Sequence, residues 1–147
     1  MTEIAFHFNM PDKLAYSCRL LRKIYLSGAK AAVTGEPALL EALDALLWSF
    51  SATEFVPHCG PMALPDTLST TPVVLTASPA ECSQFGVLVN LGQVVPAGFE
   101  GFGRFIEVVS QVPDDAQAGR SRWKHYAGRG YTLLRYDLAN RSSSGNA

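Results

Sequence analysis

Short apolar runs, too brief to be buried helices, alternate along this chain with longer segments whose apolar residues recur at helical spacing. That alternation restricts the fold to an α/β architecture. Ile4 to Phe8 reads as a first strand ending at Asn9-Met10-Pro11. Leu14, Cys18, Leu21 and Tyr25 then form a helical stripe that runs to Gly28, with Pro11 and Asp12 suited to the helix start. Lys30 to Thr34 is a second strand, and Leu39, Leu40, Leu43, Leu46 and Leu47 follow Pro37 in a second helix to about Trp48. Ser49 to Thr71 carries Pro57, Gly60, Pro61 and Pro65 without a sustained period and reads as a long loop with room for one short strand. Pro72 to Thr76 and Val87 to Asn90 have the β-branched, doubly apolar character of strands inside a parallel sheet. Phe102, Phe105, Ile106 and Val109 fit a third helix, Asp114 or Asp115 caps a fourth through Tyr126, and Tyr131 to Tyr136 closes the pattern as a strand. The expected architecture is a three-layer, doubly wound, mainly parallel sheet formed by residues 1–139 as one domain, with 140–147 as a disordered tail.

The 147 residues are 48% apolar and 17% charged, enough for one core without disulfides or metals. Three cysteines (Cys18, Cys59, Cys82), odd in number and never in a C-x-x-C pair, argue against a disulfide framework or a zinc site and for a reducing, cytoplasmic setting. The start lacks the pattern of a secretory signal, and no stretch reaches the roughly eighteen apolar residues of a membrane span. Charge is unevenly placed. No Lys or Arg lies between Lys30 and Arg104, where seven acids fall, whereas from residue 101 onward seven basic residues face four acidic ones. An acidic middle cannot follow a phosphate backbone, so direct nucleic-acid binding is not expected.

No phosphate-binding motif of either standard glycine pattern is present, and Gly98, Gly101 and Gly103 have the wrong spacing with no lysine close behind. His58-Cys59 are sequence neighbours, which seldom face each other as a catalytic pair, and His7 has no partner at metal-ligand spacing. Asp114-Asp115 suit helix capping better than acid/base work. Neither an enzyme nor a cofactor or metal is therefore expected. The unusual segment is Arg120-Ser121-Arg122-Trp123-Lys124-His125-Tyr126. Arg120 and Lys124, four apart, share a helix face with Trp123 on its flank, and two like charges there call for an acidic partner with an apolar end. The competing reading is a solvated helix face with Trp123 turned into the core.

Several segments resemble the chi subunit of bacterial DNA polymerase III. They are Leu43-Asp44 with Leu47-Trp48, Glu54-Phe55-Val56-Pro57-His58, Arg104-Phe105-Ile106-Glu107-Val108-Val109 with Val112-Pro113, and Arg120 to Tyr126 with Gly130-Tyr131. The resemblance implies a Rossmann-like or P-loop-like topology without a nucleotide site, and a non-catalytic role in the clamp-loader assembly during DNA replication. It implies two partners: the psi subunit, and the acidic C-terminal tail of single-stranded DNA-binding protein, which ends in Ile-Pro-Phe. In that family the tail pocket is walled at the positions of Trp48, Phe55 and Val112, with Trp123 where tyrosine is usual. Arg120 would take the terminal carboxylate or the aspartates, and Lys124 the acidic run. A monomer or a 1:1 heterodimer with psi is the expected form. The alternatives are a direct single-stranded nucleic-acid-binding module and a nucleotide-binding enzyme.

Overall fold

A computed structural model describes residues 2–49, 58–59, 72–76, 79 and 85–138. The element order is β1 (Glu3–Met10), α1 (Lys13–Leu26), β2 (Lys30–Thr34), α2 (Pro37–Ser49), β3 (His58–Cys59), β4 (Val73–Leu75) and β5 (Gly86–Asn90). A 3-10 turn (Phe99–Gly101), β6 (Arg104–Ser110), α3 (Pro113–Gly128) and β7 (Leu133–Asp137) follow. The strands form one sheet in the order β3-β4-β2-β5-β6-β1-β7, and every neighbouring pair is parallel. Both central faces are covered, as an all-parallel sheet requires. On one face Leu21 of α1 and Leu43 and Leu47 of α2 pack over Val33, Val89, Ile106 and Val108. On the other, Tyr126 of α3 packs with Phe6, Leu88, Phe99 and Phe105. The helix–sheet–helix layering is the three-layer α/β arrangement expected from the sequence.

The expected helix over Phe102, Phe105, Ile106 and Val109 is instead strand β6, preceded only by the short 3-10 turn. The reason lies in burial. Six of the seven β6 residues are buried, Phe105 and Val109 toward α3 and Ile106 and Val108 toward α1 and α2, so apolar residues run on without the alternation that marks a one-sided strand. The long loop expected between α2 and β4 falls mostly outside the described residues, apart from the two-residue strand β3. The expected tail at 140–147 also lies outside them.

The capping assignments need revision at both helix starts. Asp12 is the N-cap of α1, where its carboxylate accepts from the Ala15 backbone N–H at 3.1 Å. Asp12→Ala is expected to cost about 1 kcal/mol, seen as a lower urea midpoint at unchanged slope, and an unmoved midpoint would show that the cap contributes nothing. At α3 neither Asp114 nor Asp115 caps. Val112 holds the N-cap position without a side-chain bond, and Asp115 lies inside the first turn. Its Oδ2 accepts from the Ser110 backbone N–H at 2.7 Å and from Ser110 Oγ at 2.9 Å, while Lys13 Nζ donates to both oxygens at 3.1 Å. The carboxylate thus ties α1 to α3 around the ends of β1 and β6. Burial holds the Lys13 ammonium below its ordinary pKa, opposed by the charge of Asp115.

The order of the strands reverses direction between β2 and β5. From β2 the chain proceeds toward β3 and from β5 toward β6, which makes their carboxyl ends the place where such sheets ordinarily open a ligand crevice. Here the two turns touch. A Cβ on Gly92 would lie 3.3 Å from Gly35 Cα, and one on Gly35 3.4 Å from Gly92 N. The contact is fixed by Asn90, whose Oδ1 accepts from Gly92 N–H at 2.9 Å, and by Leu91 N–H, which donates to Thr34 O at 2.8 Å.

Candidate functional site

An accessible cleft lies elsewhere, between α3 and the β1–β7 side of the sheet, with a volume of about 520 Å³. Pockets of about 300–1,000 Å³ suit small ligands or the end of a peptide. Its floor is Phe6 and Phe8 of β1 with Val109 of β6, one wall is Ala116, Gly119, Arg120 and Trp123 of α3, and the opposite side is Arg135 of β7. Asn9, Ser110 and Gln111 close the end where the strands finish. The period of two along β1 places Phe6 and Phe8 on this face, and the register Phe6↔Arg135 puts Arg135 beside them. His7, on the other side of β1, shares a hydrogen bond with Tyr16 of α1 and does not face the cleft.

The cleft is narrow along α3 because Gly119 lets the helix settle onto β6. A Cβ there would stand 2.8 and 2.9 Å from the two methyls of Val109. Trp123 is neither fully exposed nor fully in the core. Half-buried, it meets the Phe6 ring edge-on with centroids 5.0 Å apart, and it lines the cleft as well.

Beneath α3 sits a buried ionic group. Glu107 is fully buried in β6 and Arg122 of α3 is 2% exposed, with Nε 3.0 Å from Glu107 Oε1. Tyr126 Oη donates to Oε2 at 2.6 Å, and Asn90 Nδ2 to Oε1 at 3.0 Å. The contact of Arg122 is one of charge: none of its N–H groups is aligned on an acceptor among the described residues. Burial pushes the Glu107 carboxyl above its ordinary pKa, and the positive charge of Arg122 pulls the other way. Every donor of this group is spent within the fold or sealed under the helix, so it holds α3 in place and leaves the cleft chemistry to residues above it.

Lys13 pairs with Asp115, Arg104 with Glu3 and Arg122 with Glu107. Arg120, Lys124 and Arg135 have no such partner among the described residues, and all three are exposed. Arg120 and Lys124 project from α3, and the Arg135 guanidinium carbon lies 5.2 Å from the centroid of the Phe8 ring. An apolar floor between cations that have no ion-pair partner among the described residues is of a chemistry suited to an anionic ligand with an apolar end.

Of the residues expected at the site, the structure brings Arg120 and Trp123 into the cleft and places Lys124 one turn along the same helix. Val112, 55% exposed, stands at the start of α3 and is not part of the lining. Trp48, 65% exposed, belongs to α2 in the opposite layer and is not a wall of this cleft. Phe55 lies outside the described residues. Phe6, Phe8 and Arg135 are among the cleft residues that sequence reasoning missed. The shared parity of Phe6 and Phe8 was visible, but their pairing with Arg135 depends on β7 lying next to β1, which no local pattern reveals.

Among the described residues no helix is long and apolar enough to cross a membrane, and no cluster of three metal-ligating side chains occurs. Residues 1–134 match the family model described as DNA polymerase III chi subunit, HolC. The chain is 30% identical over 127 residues to the DNA polymerase III subunit chi of Pseudomonas aeruginosa, an alignment covering 86% of this chain and 87% of that protein. The chain therefore belongs to the family of DNA polymerase III chi subunits, accessory proteins of the polymerase complex in DNA replication.

Proposed function

We propose that this chi subunit is a non-catalytic, cytoplasmic bridge. With the psi subunit it connects the clamp loader to single-stranded DNA-binding protein by gripping that protein's acidic C-terminal tail, and it does not touch DNA itself. It acts as a monomer or as a 1:1 heterodimer with psi. The supporting observation is the cleft, where an aromatic floor lies between cations that have no ion-pair partner among the described residues. A tail of aspartates ending in Ile-Pro-Phe is complementary to it. The terminal ring lies on Phe6, Phe8 and Trp123, and the acidic run lies along Arg120 and Lys124. Micromolar affinity, about 8 kcal/mol, is within reach of one buried ring and a few charge-assisted bonds. Many tails on coated DNA raise the local ligand concentration, so such weak sites localise the assembly by avidity.

The test is a fluorescence titration with a peptide ending in Asp-Ile-Pro-Phe and with the same peptide lacking its Phe. Only the first is expected to bind saturably, and Arg120→Ala should weaken it about tenfold or more with circular dichroism unchanged. Because Trp48 and Trp123 lie in opposite layers, Trp48→Phe leaves Trp123 as the sole reporter of the cleft. A peptide-dependent signal that survives only in Trp123→Phe would place the tail on the other layer. Equal binding of both peptides, or none, would defeat the tail-receptor role.

A further inference from the structure

Strand β1 keeps its period of two as far as Phe8 and then breaks it. Ile4, Phe6 and Phe8 pack on the α3 side of the sheet. The same parity would send Met10 to that side as well, about 7 Å beyond Phe8 and into the end of the cleft. Met10, 2% exposed, belongs instead to the core on the α1–α2 side, with Tyr16, Leu21 and Val108. The switch is made at Asn9. The pairing of β1 with β6 runs Phe8↔Val109 and then Met10↔Ser110, so Asn9 is an extra residue with no pairing partner on β6. Asn9 is also, among the described residues, the one non-glycine residue with a left-handed backbone, at φ 73°. Asparagine takes that conformation more readily than most side chains, and β-branched residues resist it. Three hydrogen bonds hold the bulge. Asn9 Nδ2 donates to Asp137 Oδ1 at 3.0 Å, Gln111 Nε2 to Asn9 O at 2.9 Å, and the Gln111 backbone N–H to Met10 O at 2.9 Å.

A bulge beside a binding site can re-aim a side chain. Here the side chain is that of Met10, and the space it vacates is the end of the cleft that Asn9 and Gln111 line. A strand that pleated regularly through residue 9 would close that end with the Met10 side chain. We propose that Asn9 keeps the cleft open, as a positioning residue that acts through Met10: its left-handed backbone turns Met10 into the opposite layer and so makes room for the apolar end of the bound peptide. Only the bulged form then binds, and apparent affinity follows its population. This assignment rests on the tail-receptor function proposed above and adds to it the residue that shapes the receptor.

The experiment is calorimetric titration of the full chain with the peptide ending in Asp-Ile-Pro-Phe, alongside urea unfolding of the same proteins. Wild type, Asn9→Gly, Asn9→Val, Met10→Ala and the double variant of Asn9→Val with Met10→Ala are compared. Asn9→Gly adopts the left-handed backbone without a side chain and should bind within about twofold of wild type. Asn9→Val should weaken binding about tenfold, since a branched residue depopulates the bulged form. Met10→Ala leaves a cavity in the opposite layer, so it should lower the urea midpoint while affinity stays within about twofold. In the double variant nothing large remains to fill the cleft. Its affinity should return to within about threefold of wild type, although it is the least stable protein of the set. Affinity that tracks stability instead, with the double variant binding worst, would show a purely structural role and overturn the assignment. A loss in Asn9→Gly equal to that in Asn9→Val would overturn it too. Asn9→Ala makes the same backbone demand more mildly and takes the place of Asn9→Val if that chain does not fold; wild-type affinity in the variant used also defeats the assignment. In each of these cases the tail-receptor function stands, because wild type binds. If wild type does not bind the peptide, both proposals fall together.

Discussion

Arg122→Met is expected to destabilise the protein by about 3–5 kcal/mol, the cost of leaving a buried charge without its partner. Glu107 would keep the hydroxyl of Tyr126 and the amide of Asn90 but lose the positive charge that Arg122 holds against it. At about 2–4 °C per kcal/mol for chains of this size, thermal melting should fall by roughly 10 °C. Two further readouts separate lost charge from lost packing. Combining Arg122→Met with Glu107→Met should recover most of the loss, since a buried pair replaced by apolar groups is often neutral. The deficit should also depend on pH. Burial already raises the Glu107 pKa above 4.5, and without Arg122 it rises further. The native state then holds a proton that the unfolded chain releases, so stability falls as pH rises through the window above 4.5, and the variant should be closest to wild type in mild acid. A small, pH-independent loss would show that the pair contributes mainly volume.

Gly119→Val should cost about 3 kcal/mol, since an overpacked, β-branched side chain must be forced between helix and sheet. The added Cβ meets both Val109 methyls inside 3.0 Å, and neither can swing away because they branch directly from a strand. Urea unfolding measures the loss, and Val109→Ala in the same chain should restore a good share of it by removing the opposing methyls. The same substitution fills the middle of the cleft wall, so peptide affinity should drop even where the fold survives. Wild-type stability in Gly119→Val would mean that α3 can lift from β6 freely.

Both predictions depend on features that are only partly legible in the sequence. Strands β1, β2, β4, β5 and β7 and helices α1, α2 and α3 announce themselves through turn residues, β-branched runs and helical spacing. Strand β6 does not, because a strand buried on both faces has no alternation, and Phe102, Phe105, Ile106 and Val109 fall at helical spacing by coincidence. Taking the segment as a helix also hides Glu107, whose charge inside an apolar run is explained only by Arg122 arriving from α3. Arg120 and Trp123 can be chosen from their spacing on one helix. Trp48, chosen by resemblance, lies in the other layer, and Arg135 enters the cleft through a strand order that is a property of the whole sheet.

The contact of Gly35 with Gly92 bears on the protein's economy in the cell. Sheets that keep the crevice at the reversal point open commonly draw some of their stability from what fills it, so their folded population follows the ligand supply by mass action. Here the chain's own backbone occupies that position, and a phosphate would have to prise apart turns that are already hydrogen-bonded together. A fold built this way needs no nucleotide at this position to hold the two turns together.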